Sequence, residues 1–150
     1  MVPQKAFQMI SGLNLSLVEE KRGNHESGGC GIAGSVPRAL DTVWDQDQPE
    51  RSPEHIDFLM DDRRAVFTRH GATKLPTELG EGYAAYIPVV QVDAQNYQVT
   101  SRFACSGKDR ILDLNIARFA KGRDAVRDMI DLMRIAQKRY GEIHKCTVGK

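Results

Sequence analysis

The architecture of the chain turns on residues 96–133, "NYQVTSRFACSGKDRILDLNIARFAKGRDAVRDMIDLM". Its first run alternates: Tyr97, Val99, Phe103 and Cys105 share one face of an extended strand, leaving Gln98, Thr100 and Arg102 on the other. "SGKD" is a polar turn, and "RILDLNIARF" (residues 110–119) reads as the returning strand. From Arg123 the period becomes helical. Val126, Met129, Ile130, Met133 and Tyr140 fall on one apolar arc, and the helix is expected to end at Gly141. Upstream, "YAAYIPVVQV" (residues 83–92) and the turn "DAQN" supply a third extended run, which Pro88 pushes toward the sheet edge. The expectation is an antiparallel meander backed by a long helix.

The first half has less regular patterning. "LNLSLVEE" (residues 13–20) alternates Leu13, Leu15 and Leu17 with polar residues and reads as a half-buried strand. Residues 21–34 hold five glycines and read as a loop. "SVPRALDTVWDQ" (residues 35–46) reads as a short helix with Pro37 in its first turn and Leu40, Val43 and Trp44 inward. After a turn at residues 47–53, a second helix begins beyond Ser52 and buries Ile56, Leu59 and Met60. "AVFTRH" (residues 65–70) is expected as a strand and residues 71–82 as a loop. The predicted fold is a single α+β domain over residues 1–150. It has a small antiparallel sheet, helices packed on one face and a long C-terminal helix, with 1–80 and 81–150 as candidate subdomains.

Bulk properties are those of a globular chain: 41% hydrophobic and 27% charged residues. No apolar run approaches the roughly 18 residues of a membrane helix, and no secretory signal is visible. Three cysteines, Cys30, Cys105 and Cys146, leave one unpaired in any scheme. The expectation is free thiols and a cytoplasmic location. The net charge of +1 conceals a polarity. Residues 1–100 carry 9 Lys+Arg against 14 Asp+Glu, a net of −5, and residues 101–150 carry 12 against 6, a net of +6. Either the basic part has an acidic partner such as nucleic acid, or the two parts attract each other.

Several short motifs suggest catalysis. "RGNHES" (residues 22–27) resembles the metal-binding turn of calcineurin-like phosphoesterases, which implies roles for Asn24 and His25. That family takes its other metal ligands from Asp-containing turns upstream, and the 22 residues before Gly23 hold no Asp and no His. "CGIAG" (residues 30–34) resembles the start of asparagine-synthetase-type amidotransferases, whose cysteine is the N-terminal residue. "TRHGAT" (residues 68–73) resembles the histidine-phosphatase motif without its second histidine turn. His25, Cys30, His144 and Cys146 could form a zinc site, although neither "HESGGC" nor "HKC" has ordinary ligand spacing. No metal or cofactor is assigned.

Two resemblances extend further. Residues 13–83 resemble the final strands of RecA-like helicase ATPases from phages and plasmids, without their phosphate-binding half. Residues 83–145 resemble the three-strand-plus-helix module of ethylene-response-factor and phage-integrase arm-binding domains. That resemblance implies an exposed sheet face laid into the DNA major groove. The expected function is a non-enzymatic binding protein contacting DNA or RNA phosphates through its last third. Gln98, Thr100 and Arg102 would lie on the sheet face, with Lys108, Arg110, Arg118, Lys121, Arg123, Arg127, Arg134, Lys138 and Arg139 around it. The same helix cations could instead pair with Asp124, Asp128 and Asp131. The alternative function is a protein-binding accessory or inhibitor factor using the acidic N-terminal part, and a metallophosphoesterase-like remnant comes third.

Overall fold

A computed structural model describes residues 1–14, 18–33, 37–46, 52, 54–88 and 95–149. The elements run α1 (Gln4–Ser11), β1 (Val18–Gly23), β2 (Ser27–Ala33), β3 (Leu40–Gln46), α2 (His55–Arg69) and β4 (Thr73–Lys74). A 3-10 turn at Thr77–Leu79 follows, then β5 (Glu81–Tyr86), β6 (Tyr97–Cys105), β7 (Lys108–Ile116) and α3 (Ala125–His144). All seven strands form one sheet in the order β1-β2-β3-β7-β6-β5-β4, and every neighbouring pair is antiparallel. The α+β class, the antiparallel sheet and the long C-terminal helix agree with the sequence. Strands from both halves join in one sheet through β3 and β7.

The two faces of that sheet follow from alternation along β7. Leu112, Leu114 and Ile116 point into the larger core, with Val99 and Phe103 of β6 and Met129, Leu132, Met133, Ala136 and Tyr140 of α3. Phe7 and Ile10 of α1 complete it. Ile111 points the opposite way, into a smaller core with Ile56, Met60 and Phe67 of α2 and Tyr83 and Ala85 of β5. Helices therefore cover both faces, not one: α1 and α3 pack on the side of Leu112, Leu114 and Ile116, and α2 covers Ile111, Tyr83 and Ala85 on the other. Each fully buried Leu, Ile or Met contributes roughly 1.5–3 kcal/mol, so the central strands anchor both layers.

Three local expectations are corrected. Residues 65–69 are the last turns of α2, with His70 its C-cap, not a strand: Ile56, Met60 and Phe67 recur at helical spacing on one buried face. Residues 40–46 are β3, not a helix, with Leu40, Thr42 and Trp44 buried at a period of two between partners on both sides. The glycine-rich stretch is a β1–β2 hairpin rather than a loop. Its glycines make room for neighbours: a Cβ on Gly28 would lie 2.6 Å from the Trp44 ring. One on Gly29 would lie 3.0 Å from Arg22 Nη2, and one on Gly31 2.6 Å from Asp41 Oδ1. Across that bare backbone Arg22 of β1 reaches Asp41 of β3 at 2.7 Å. Residues 15–17, 47–51, 53 and 89–94 lie outside the described residues, as do the readings that fall on them. β5 ends before Pro88 and sits one strand in from the edge, which the two-residue β4 occupies.

The helix α3 runs past Gly141 to His144, and Lys145 then takes a left-handed conformation at φ 53°. Gly141 is needed inside the helix because the chain folds back over it. A Cβ there would lie 2.9 Å from both the Cys146 carbonyl and a Val148 methyl. A buried polar clamp fixes the middle of α3: Gln137 Nε2 donates to the Leu79 carbonyl and to Ser101 Oγ, each at 2.8 Å, and Ser101 donates to the same carbonyl. The returning tail is tied down by a Cys105–Cys146 disulfide, with Cα atoms 5.4 Å apart. Two of the three expected free thiols are thus paired. The bond spans 41 residues, and a loop of that size is worth about 2–4 kcal/mol. Replacing both cysteines by alanine is expected to lower unfolding stability by that amount in a urea titration. Added reductant should destabilise the native protein and leave the double variant unchanged.

Candidate functional site

"RGNHES" builds a tight turn. Asn24 Oδ1 accepts from the backbone N–H groups of Glu26 and Ser27 at 2.8 and 2.9 Å, and Asn24 N–H donates to the Ser27 carbonyl. The turn rests on Trp44 of β3, whose indole N–H donates to the Asn24 carbonyl at 3.0 Å. It also meets the end of α3. His25 Nδ1 lies 3.2 Å from His144 Nδ1, and the His144 ring stacks on Tyr140 with centroids 4.0 Å apart and packs edge-on to Trp44. Between turn, sheet and helix end lies a cleft of about 370 Å³, lined by Lys21, His25, Cys30, Trp44, Ile143 and His144 among others. Its wall is aromatic and aliphatic, and its polar groups come from three separate elements.

Electrostatics at the cleft is governed by burial. Desolvation, then the neighbouring His25 and Arg110, hold the His144 imidazolium below its ordinary range. Burial raises Tyr140, the Arg110 guanidinium partly opposing it. The Tyr140 hydroxyl and Arg110 Nε are buried without a hydrogen-bond partner among the described residues. Cys30 is 6% exposed on the cleft floor, and burial pushes its thiol up.

The motif-bearing residues do not assemble into a catalytic centre. His70 is an exposed residue capping the C-terminal end of α2, so "TRHGAT" begins on a helix end and not on a strand. Of the four zinc candidates, His25 and His144 meet and Cys30 lines the same cleft, but Cys146 is consumed by the disulfide. Among the described residues no group of three or more His, Cys, Asp or Glu side chains is placed to hold a metal ion.

The nucleic-acid candidates scatter. The sheet face expected to be open lies under α2: Thr100 is 0% exposed, Gln98 is half-buried and donates to the Gln95 carbonyl, and Arg102 bridges Asp57 and Asp109. This corrects their outward placement, since Ile111 on that face demands apolar cover. Arg110 is buried. Arg123 pairs with Asp128, Arg134 with Glu78 and Asp131, and Arg139 with Glu142. Lys108, Arg118, Lys121, Arg127 and Lys138 are exposed, with no ion pair among the described residues. Lys108 opens β7 and Arg118 lies two residues beyond its end at Ile116, a strand about 27 Å long at about 3.4 Å per residue.

The cleft itself was missed by sequence reasoning, which placed Trp44 on a helix and "RGNHES" in a loop. No family model, curated protein or solved structure matches the chain. The buried, unactivated state of Cys30 has a direct readout. At mildly alkaline pH its reaction with a thiol reagent should be much slower than that of a free cysteine. It should become complete, at one thiol per chain, once the non-reduced protein is unfolded.

Proposed function

We propose that the chain is a non-enzymatic protein-binding domain that takes an extended segment of its partner along β1. One observation carries this reading: β1 is the outer strand, exposed at every residue from Val18 to Gly23, and it borders the cleft directly. An added strand gains affinity from main-chain hydrogen bonds and specificity from pockets that take alternate side chains. Edge strands are ordinarily guarded by charge. Here the guards are turned inward, Glu20 toward Arg38 at 2.7 Å and Arg22 toward Asp41 at 2.7 Å. Lys21 has no ion pair among the described residues and lies on the cleft side of β1, opposite Cys30. The fitting partner is an extended peptide with an apolar side chain for Trp44 and Ile143 and an acidic group for Lys21.

This is the alternative raised from the sequence, moved from general acidity to a particular edge. Nucleic-acid binding through the last third is the weaker reading, because four of its ten candidate cations are paired within the chain and Arg110 is buried. The test is to select peptides from a random linear phage library and map synthetic hits by amide chemical shifts. Hits should perturb Val18–Gly23 and the cleft, and Ile143→Asp, at a half-exposed position, should weaken them at least about tenfold. Hits that map elsewhere, or none, overturn the proposal. Labelled duplex DNA and single-stranded RNA should show no anisotropy change at low salt. Salt-steep binding lost on replacing Arg118, Lys121, Arg127 and Lys138 by alanine would select the nucleic-acid reading instead.

A further inference from the structure

We infer that the His25–His144 contact is a proton-operated latch, holding the β1–β2 turn against the end of α3 near neutral pH and releasing it on acidification. The contact joins residues 119 apart in sequence, with Nδ1 facing Nδ1 at 3.2 Å. Such an approach requires one nitrogen to carry a proton and the other to offer its lone pair. With both rings protonated, two N–H groups point at each other and the contact becomes repulsive. One cation is compatible with the closed turn, and two are not.

The surroundings make the second proton unwelcome. Lys21 and Arg22 of β1 line the cleft, Arg110 of β7 acts on His144, and the Met1 amine lies against Glu19 and the Cys30 thiol. Glu19 of β1 and Glu26 of the turn are the nearby acids, and Arg22 is itself paired with Asp41. From α3, the uncharged Tyr140 ring backs His144. The Met1 amine is offset by Glu19 and Arg22 by Asp41, so the charges that act on His144 are His25 and Arg110, and both oppose a second proton. His144 is neutral in the folded protein over a range where a free imidazole has begun to charge. The unfolded chain then binds more protons, so stability attached to this group falls as pH drops below 6.5 toward the lower folded value.

Release would matter because little else described holds the turn. Beyond its own hairpin and the β2–β3 pairing that reaches Ser27, the described bond is Trp44 Nε1 to the Asn24 carbonyl. Opening the turn widens the cleft beside β1. That consequence rests on the proposed role of the cleft, but the latch is measured without any partner, so the two stand or fall separately.

Trp44 is the only tryptophan of the chain and contacts both the turn and His144. Acrylamide quenching of its fluorescence should rise severalfold between about pH 7.5 and about pH 5.5, with far-UV circular dichroism unchanged. His25→Gln, at an exposed turn position, should abolish that pH dependence, and His144→Gln should do the same. A flat profile in the unmodified protein overturns the latch, as does an unaltered slope in His25→Gln. Since acrylamide reports access rather than direct quenching by an imidazolium, a change in intensity alone with constant access also counts against it.

Discussion

The ladder between β3 and β7 is the contact on which the rest depends. It pairs Leu40 with Ile116 and runs through to Gln46 with Arg110. The two strands stand about seventy residues apart, and neither half of the sheet closes without the other. On one side β7 continues into β6 and β5 and carries α3. On the other, β3 carries the β1–β2 hairpin, whose only sheet neighbour is β3. Leu40 and Trp44 enter the same core as Leu112 and Leu114. That burial fixes the register, because a slip of one residue would exchange the buried and exposed faces of β3. The cleft is a downstream product: its floor is β2 and β3, and its far wall is the end of α3.

The charge polarity seen in the sequence is spent only in part inside the molecule. Arg102 of β6 meets Asp57 of α2, and Arg134 of α3 meets Glu78 in the 3-10 turn. Arg63 pairs with Asp113 in the reverse sense, a basic residue of the first half against an acidic residue of the second. Exposed pairs of this kind contribute little each, but they remove those cations from any outside partner. Two such pairs, Arg102 with Asp57 and Arg134 with Glu78, join the basic segment to the acidic one.

The second half was legible because its signals agree. Alternation in residues 97–105, a glycine turn, a second alternating run and a helical arc all point to the same layers, and the structure contains them. The first half misled for identifiable reasons. "SGGCGIA" has the composition of a loop, yet its glycines are packing residues over which Arg22, Asp41 and Trp44 lie. That role exists only once the neighbouring strands are in place. "LDTVWDQ" fits helical and extended periods about equally, and the partners on either side decide. The His25–His144 meeting joins a turn to a distant helix end. A list of histidines contains both members but not the contact. Cysteine parity failed differently: an odd count does not imply that all are free, and Cys105 and Cys146 are paired. The step from three cysteines to a cytoplasmic location therefore falls away, and what stands is that no described helix is long and apolar enough to cross a membrane.

That same bond makes a covalent ring of β7 and all of α3. A protease that cuts once between Ser106 and Lys145 leaves both products joined, and they part only on reduction. A cut before Cys105 leaves its two products held by non-covalent contacts alone. The C-terminal third is thus protected against losing its pieces in a way the β1–β3 half is not. The proposed recognition edge lies in the half without that protection.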